Sequence, residues 1–156
     1  MKYVQIFFYF LFTVPVFGQI NINGTYNIIK YERSTKMIFI DGEEKSVLTS
    51  ETKFEGKSNA NITFFENGTV VTEGSILCSV ITNDEGEIYE ETEEINLDDE
   101  GSYSIEGEEL IISSGELMTF KILQSSKNRF TIMYKDSTED EYGQKETMAL
   151  IEFMKD

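Results

Sequence analysis

Short runs rich in Ile, Val, Phe, Tyr and Thr follow one another along the chain after residue 19, and turn residues separate them. β-Branched and aromatic residues in runs of this length are typical of β-strands. No segment repeats its apolar residues with the period of about 3.6 that an amphipathic helix requires. The pattern predicts roughly nine or ten strands, drawn from the ranges 23–32, 36–40, 46–57, 60–65, 69–73, 75–82, 87–96, 102–105, 109–113, 117–123, 130–134 and 147–154.

Two hairpins are indicated by their turn residues. Asn67-Gly68 lies between two apolar runs and predicts a two-residue type I′ turn, because both central residues of that turn need a positive φ. Glu106-Gly107 also lies between two strand-like runs and predicts a second tight hairpin. Consecutive strands joined by short turns predict an all-β fold, namely a single antiparallel up-and-down β-barrel, with a β-sandwich as the alternative.

Alternation with a period of 2 predicts which side chains face the core. Three sets in the last third of the chain alternate in this way and are expected to face inward: Phe130, Ile132 and Tyr134; Met118, Phe120 and Ile122; Met148, Leu150 and Met154. Glu152 interrupts the third set.

The first 18 residues have the layout of a secretory signal peptide. A short positive start, Met1-Lys2, precedes the almost wholly apolar run 3–16, and Val16-Phe17-Gly18 matches a cleavage site before Gln19. A membrane anchor is the alternative, but it needs about 20 apolar residues and this run is shorter. We therefore expect a signal peptide at 1–18, one domain at 19–156, a secreted or periplasmic location and no membrane span in the mature chain.

Composition excludes several functions. The formal net charge is −16, from 13 Lys and Arg against 29 Asp and Glu, so the basic surface that nucleic acid requires is missing. The chain has no histidine, which removes the most usual general base and metal ligand. Cys78, the only cysteine, lies in an apolar run, and we expect it to be a buried thiol. We expect no enzyme activity and no cofactor.

Ten acidic side chains crowd the stretch 84–100. A Ca²⁺ site is one interpretation, because calcium binds several carboxylate oxygens, but the spacing differs from that of an EF-hand. The interpretation we favour is a solvated loop or edge hairpin whose charge prevents association between strands. Paired carboxylates here are candidates for glycosidase-type catalysis, yet such catalysis needs a buried carboxyl and this is the most hydrophilic part of the chain. We therefore expect no metal site in this stretch.

The order of four motifs resembles a known family. INGTYNI at 22–28, ITFFENGTV at 62–70, YSIEGEELII at 103–112 and MALIEF at 148–153 follow one another in this chain. This order resembles the lipocalin-like domain of small secreted bacterial proteins and covers nearly all of the mature chain. Tyr26 stands where lipocalins proper carry a tryptophan. The resemblance implies an up-and-down barrel and no particular reaction.

A small barrel of about eight strands either holds one small ligand or is filled by its own side chains. We expect an exported, non-catalytic barrel that binds a small apolar ligand. The side chains expected to line the ligand site are Tyr26, Phe64, Tyr103, Phe120, Phe130, Ile132 and Met148. The alternative is an envelope or extracellular module with a filled core that binds another protein.

Overall fold

A computed structural model describes residues 20–41, 44–140 and 143–155, and these ranges contain β-strands and no helix. The expected signal peptide at 1–18 lies outside the described residues. The strands are β1 (Gly24–Asp41), β2 (Glu44–Ser58), β3 (Asn61–Phe64), β4 (Thr69–Glu73), β5 (Ser75–Asp84), β6 (Glu87–Asn96), β7 (Asp99–Glu106), β8 (Glu109–Ser114), β9 (Glu116–Ser125), β10 (Arg129–Asp140) and β11 (Gly143–Lys155).

The strands form one antiparallel sheet that closes on itself. Its order is β11-β10-β9-β8-β7-β4-β3-β1-β2-β5-β6, and a further pairing of β11 with β1 completes the ring. Three pairs of consecutive strands, β2 with β3, β4 with β5 and β6 with β7, are the two halves of long bent strands. The result is an eight-stranded antiparallel barrel, so the predicted up-and-down fold is confirmed.

The two ends of the barrel differ. The hairpins β3–β4 and β7–β8 and the turn before β10 form one end, which we call the base. At the other end β1, β10 and β11 run past the closed ring, and β2, β5 and β6 pair in order beside β1. We call this extension the wall. The short β8–β9 hairpin does not reach it, and among the described strands only β5 pairs with β6.

Several strands are longer than the sequence pattern predicts. The ranges 23–32 and 36–40 form one strand, β1, because the polar residues Arg33, Ser34 and Thr35 continue its pairing with β2 and β11. Strands β10 and β11 pair as far as Asp140 and Gly143, well beyond the predicted ranges. These extensions belong to the wall, whose residues are mostly polar, so hydrophobic alternation did not reveal them.

The Asn67-Gly68 hairpin is present, but the predicted type I′ turn is wrong. Gly68 has a φ of +85°, whereas Glu85 is the one non-glycine residue in the described ranges with a positive φ. The Gly68 amide donates a hydrogen bond of 3.0 Å to the Phe65 carbonyl, which makes a three-residue loop ending in a left-handed glycine. Glu85 and Gly86, with φ of +51° and +98°, have the type I′ signs instead.

Aromatic side chains fill the base of the barrel. The Tyr26 and Phe130 ring centroids lie 4.9 Å apart, those of Phe64 and Tyr103 5.0 Å, and those of Phe130 and Phe153 4.5 Å. Such edge-to-face and stacked pairs add to the free energy of burial. The lower half of the barrel is therefore a packed core.

Candidate functional site

Above the aromatic base the barrel encloses an open cavity of about 370 Å³. This volume lies within the range of small-molecule sites in proteins. Its apolar lining comes from Leu97, between β6 and β7, and from seven strands of the ring: Ile28, Ile62, Val70, Ile112, Met118, Phe120, Ile132, Ile151 and Phe153. Side chains alternate between the two faces of a strand, so each of these strands points every second residue toward the inside of the barrel, and some of these residues border the cavity.

Gly101 and the bend before β7 shape one side of this cavity. Gly101 is paired with Val70, and any Cβ added to it would meet the carbonyl oxygen of Ser113. Gly101 therefore allows β7 and β8 to approach closely. Between β6 and β7 the chain turns at Leu97 and Asp98, and the Thr72 hydroxyl donates to the Leu97 carbonyl. This bend, residues 96–101, forms the mouth of the cavity.

The mouth is fastened to the neighbouring bend between β4 and β5. The Leu97 amide donates a hydrogen bond of 2.9 Å to the Gly74 carbonyl. The Gly74 amide in turn donates one of 2.7 Å to the Asp98 carboxylate. Two hydrogen bonds therefore connect the two bends, and one of them fixes the Asp98 carboxylate at the mouth.

The seven side chains expected to line a ligand site occupy three places. Phe120 and Ile132 line the cavity. Tyr26, Phe64 and Phe130 pack in the aromatic base, where each is almost fully buried. The structure therefore brings two of the seven to the cavity and places three beneath it.

Tyr103 and Met148 lie elsewhere. Tyr103 packs on Phe64 at the bottom of the base, and its hydroxyl donates to Oδ1 of Asn23. Met148 is 46% exposed, whereas its neighbour Ala149 is buried. The predicted inward set of Met148, Leu150 and Met154 was wrong, because the buried residues of β11 are the odd-numbered ones. Glu152, on the same face as Met148, is the sequence signal that this face meets water.

Eight apolar side chains of the lining were not among the expected ligand residues. They are Ile28, Ile62, Val70, Leu97, Ile112, Met118, Ile151 and Phe153. All except Leu97 lie in strands that the sequence predicted, and period-2 alternation places Ile62 with Phe64 and Met118 with Phe120 on one face. Alternation identifies inward residues, but it does not tell which lie beside the cavity and which lie in the base.

The aromatic side of the cavity continues toward the wall. Tyr134 follows Ile132 on the inner face of β10, and its ring centroid lies 5.6 Å from that of Phe120. Partial burial raises the pKa of Tyr134, and the carboxylates of Asp136 and Glu116 raise it further. Tyr134 therefore stays neutral at physiological pH in a negative field.

Cys78 is fully buried, which confirms the expectation of a buried thiol. It lies in β5, near Tyr31, Arg33 and Glu93. Burial raises the pKa of the Cys78 thiol; Glu93 raises it further, while Arg33 lowers it. The thiol is consequently protonated at neutral pH and is a poor nucleophile.

The acidic stretch forms β6, the last strand in the sheet order, together with the bend that follows it. Almost all residues of β6 are exposed, which agrees with an edge strand whose charges face water. In residues 20–41, 44–140 and 143–155, no group of three or more His, Cys, Asp and Glu side chains is arranged to hold a metal ion. No helix of these ranges is long and apolar enough to span a membrane.

A larger depression, about 980 Å³, lies outside the base. It is bounded by the segment Ile20–Asn23 and by residues of the base hairpins, among them Glu66, Gly107 and Glu108. Its lining mixes polar and apolar groups at the surface, unlike the apolar interior of the barrel. We therefore take the interior cavity as the candidate site.

No family model matches the chain, and no curated protein or solved structure matches it. The class of the protein therefore follows from its structure: it is an eight-stranded antiparallel β-barrel with a filled base and an apolar cavity above it.

Proposed function

We propose that this protein is an exported, non-catalytic barrel that binds one small apolar ligand in the cavity above the aromatic base. The observation that carries this proposal is the cavity itself, about 370 Å³ in volume and lined by ten aliphatic, aromatic or thioether side chains. Moving an apolar ligand from water into such a site is favourable by roughly 25 cal/mol for each Å² of apolar surface buried. Export rests on the signal-like pattern of residues 1–18.

The unfilled upper half of the barrel favours a ligand over a protein-binding module with a filled core. Exposed aromatic side chains do occur: Phe39 lies on β1, Phe65 follows β3 and Tyr89 lies on β6. A non-catalytic role is supported by the lack of histidine and by the buried, protonated Cys78.

Binding of a neutral fluorescent probe tests this proposal. N-phenyl-1-naphthylamine is apolar and uncharged at pH 7, and its emission rises when it leaves water. We expect the protein to bind it with a micromolar Kd and a stoichiometry of one. Saturable binding at one site is what a single interior cavity requires.

Two substitutions with the same chemistry locate the bound probe. Met118→Trp places a bulky ring inside the cavity, whereas Met148→Trp places it on the outer face of β11. We expect Met118→Trp to weaken binding at least tenfold and Met148→Trp to leave it unchanged. Met118→Ala enlarges the cavity and should still bind the probe. It therefore distinguishes a cavity filled by the introduced tryptophan side chain from a loss of folding caused by any change at this position. No saturable binding to the wild type, or equal loss in both Trp variants, would contradict the proposal.

A further inference from the structure

The charge around the cavity mouth identifies the chemistry of the ligand. We propose that it is an amphipathic cation, with an apolar body in the cavity and a protonated amine or quaternary ammonium at the mouth. This inference rests on the proposed function, because it assigns the head group of a ligand whose body the cavity holds.

Among the described residues, every ionisable residue that lines the cavity is acidic. Asp98, Asp99 and Glu100 belong to the mouth, and no lysine or arginine of the described ranges belongs to the lining. The hydrogen bond from the Gly74 amide fixes the Asp98 carboxylate there. A cleft bordered by charges of one sign concentrates ligands of the opposite sign and repels those of the same sign.

Outside the cavity lining, next to Phe120 and toward the wall, lie two more carboxylates and an aromatic ring. Asp136 and Glu116 lie close enough to Tyr134 to act on its hydroxyl electrostatically. The Tyr134 ring packs against Phe120, which lines the cavity. An ammonium group near this ring would gain both the attraction of the carboxylates and a cation–π contact.

Among the basic side chains on the inner face of the wall, Arg33 lies level with Tyr134, because both residues pair with Ala149, and Lys145 lies farther along the strands. Arg33 is hydrogen-bonded to Tyr31 and lies near Cys78. Lys145 is paired with Met37, toward the tip of the wall. Neither residue belongs to the cavity lining. A fatty-acid anion would therefore have its carboxylate among acids at the mouth, whereas an amine of equal length would be attracted there.

Three probes with one apolar chain separate the head group from the body. Decylammonium and decanoate below their micelle concentrations, and decan-1-ol below its solubility limit, compete with N-phenyl-1-naphthylamine at pH 7 and low salt. We expect decylammonium to bind about tenfold more tightly than decanol, as the attraction of a few partly screened carboxylates implies, and decanoate to bind more weakly than decanol. Salt at 0.5 M should reduce the difference, because it screens exposed charges.

The variant Asp98→Asn/Asp99→Asn tests the source of the preference. Asparagine keeps the Oδ1 atoms that accept the Gly74 and Glu100 amides and removes both charges. The ratio of the decanol to the decylammonium Kd should fall toward one. The control Glu106→Gln/Glu109→Gln removes two exposed charges at the base and should keep the wild-type ratio.

The outcomes distinguish the two proposals. If the fluorophore shows no saturable binding to the wild type, so that there is nothing for the three probes to displace, the proposed function fails. If decanol binds and the wild type shows no preference for the cation, the inference is overturned while the proposed function stands. A preference that persists unchanged in the Asp98→Asn/Asp99→Asn variant also overturns it, since the mouth would not be its source.

Discussion

The hydroxyl of Tyr103 donates a hydrogen bond of 2.7 Å to Oδ1 of Asn23, a residue 80 positions earlier in the chain. The same hydroxyl lies 3.0 Å from the Phe65 carbonyl oxygen. Lys155, near the other end of the domain, donates from Nζ to the Asn23 carbonyl at 3.0 Å. Asn23 therefore joins the N-terminal segment to the hairpins of the base and to the last strand, just below the aromatic core.

Replacing Tyr103 by Phe should destabilise the fold. The substitution keeps the ring against Phe64 and removes the single hydroxyl proton that Oδ1 of Asn23 and the Phe65 carbonyl share, and leaving these acceptors unsatisfied costs about 1 to 3 kcal/mol. Tyr89→Phe is the control, because Tyr89 is exposed and its hydroxyl bonds only the exposed Glu87. Urea unfolding measures both variants. Equal midpoints for Tyr103→Phe and Tyr89→Phe would show that the Asn23 contact contributes nothing.

Replacing Gly68 by Val should also lower stability. The φ of +85° at this position is unfavourable for a β-branched residue, and such strain costs roughly 1 to 3 kcal/mol. The added Cβ would meet the Tyr103 carbonyl oxygen at 3.4 Å, an ordinary contact, so the penalty comes from the backbone. Thr69→Val, one residue later in β4, is the control and should change the thermal midpoint little. A midpoint for Gly68→Val that equals the wild-type value would contradict the left-handed conformation.

The fold class was predictable from sequence because apolar alternation and turn residues report local structure. The same signals gave wrong predictions of strand length and of the inward face where these depend on pairing with distant strands. Arg33 to Thr35 read as a break, yet pairing on both sides of β1 keeps them in one strand. On β11 the apolar residues fit either face, because Leu150 and Ile151 are both apolar. Glu152 indicates that the even-numbered face meets water, and closure of β11 onto β1 places the odd-numbered residues inside the barrel.

The cavity could not be predicted in the same way. Ile132 and Phe130 both face inward on β10, and nothing in their spacing says that one borders open space and the other packs against Tyr26. That difference depends on what the closed barrel places next to each side chain: the bend at 96–101 lines the cavity together with Ile132, whereas the rings of Tyr26 and Phe153 pack on Phe130. The acidic mouth, in contrast, was visible as a charged stretch, but its position beside an apolar cavity was not.

Stability should decrease in alkaline solution. Burial raises the pKa of Tyr26, Tyr31 and Tyr103 above the ordinary value of 10.0. The folded protein then holds these protons more tightly than the unfolded chain, so the stabilisation is complete below pH 10 and is lost as the pH rises through the folded pKa values. Urea unfolding between pH 8 and pH 12 measures this loss. A free energy of unfolding that stays constant or rises over this interval would contradict the assignment.

Salt should stabilise the fold through β6 and the bend that follows it. The acidic side chains of β6 are exposed and lie close together on an edge strand, so they repel one another, and ions screen that repulsion. Sodium chloride should therefore raise the thermal midpoint modestly. Calcium chloride at equal ionic strength should give a similar rise. A saturable calorimetric heat with micromolar affinity for Ca²⁺, abolished by Asp98→Asn/Asp99→Asn, would instead establish a calcium site.

The central claim is that an apolar ligand enters the cavity above the aromatic base. Methyl NMR of protein with labelled isoleucine tests it most directly, because isoleucines line the cavity and also lie on the outer surface. On addition of N-phenyl-1-naphthylamine, we predict large shifts at Ile62, Ile132 and Ile151, which line the cavity, and none at Ile88, which is 70% exposed on β6. Shifts confined to Ile88 and other exposed positions, with the cavity methyls unchanged, would contradict the account.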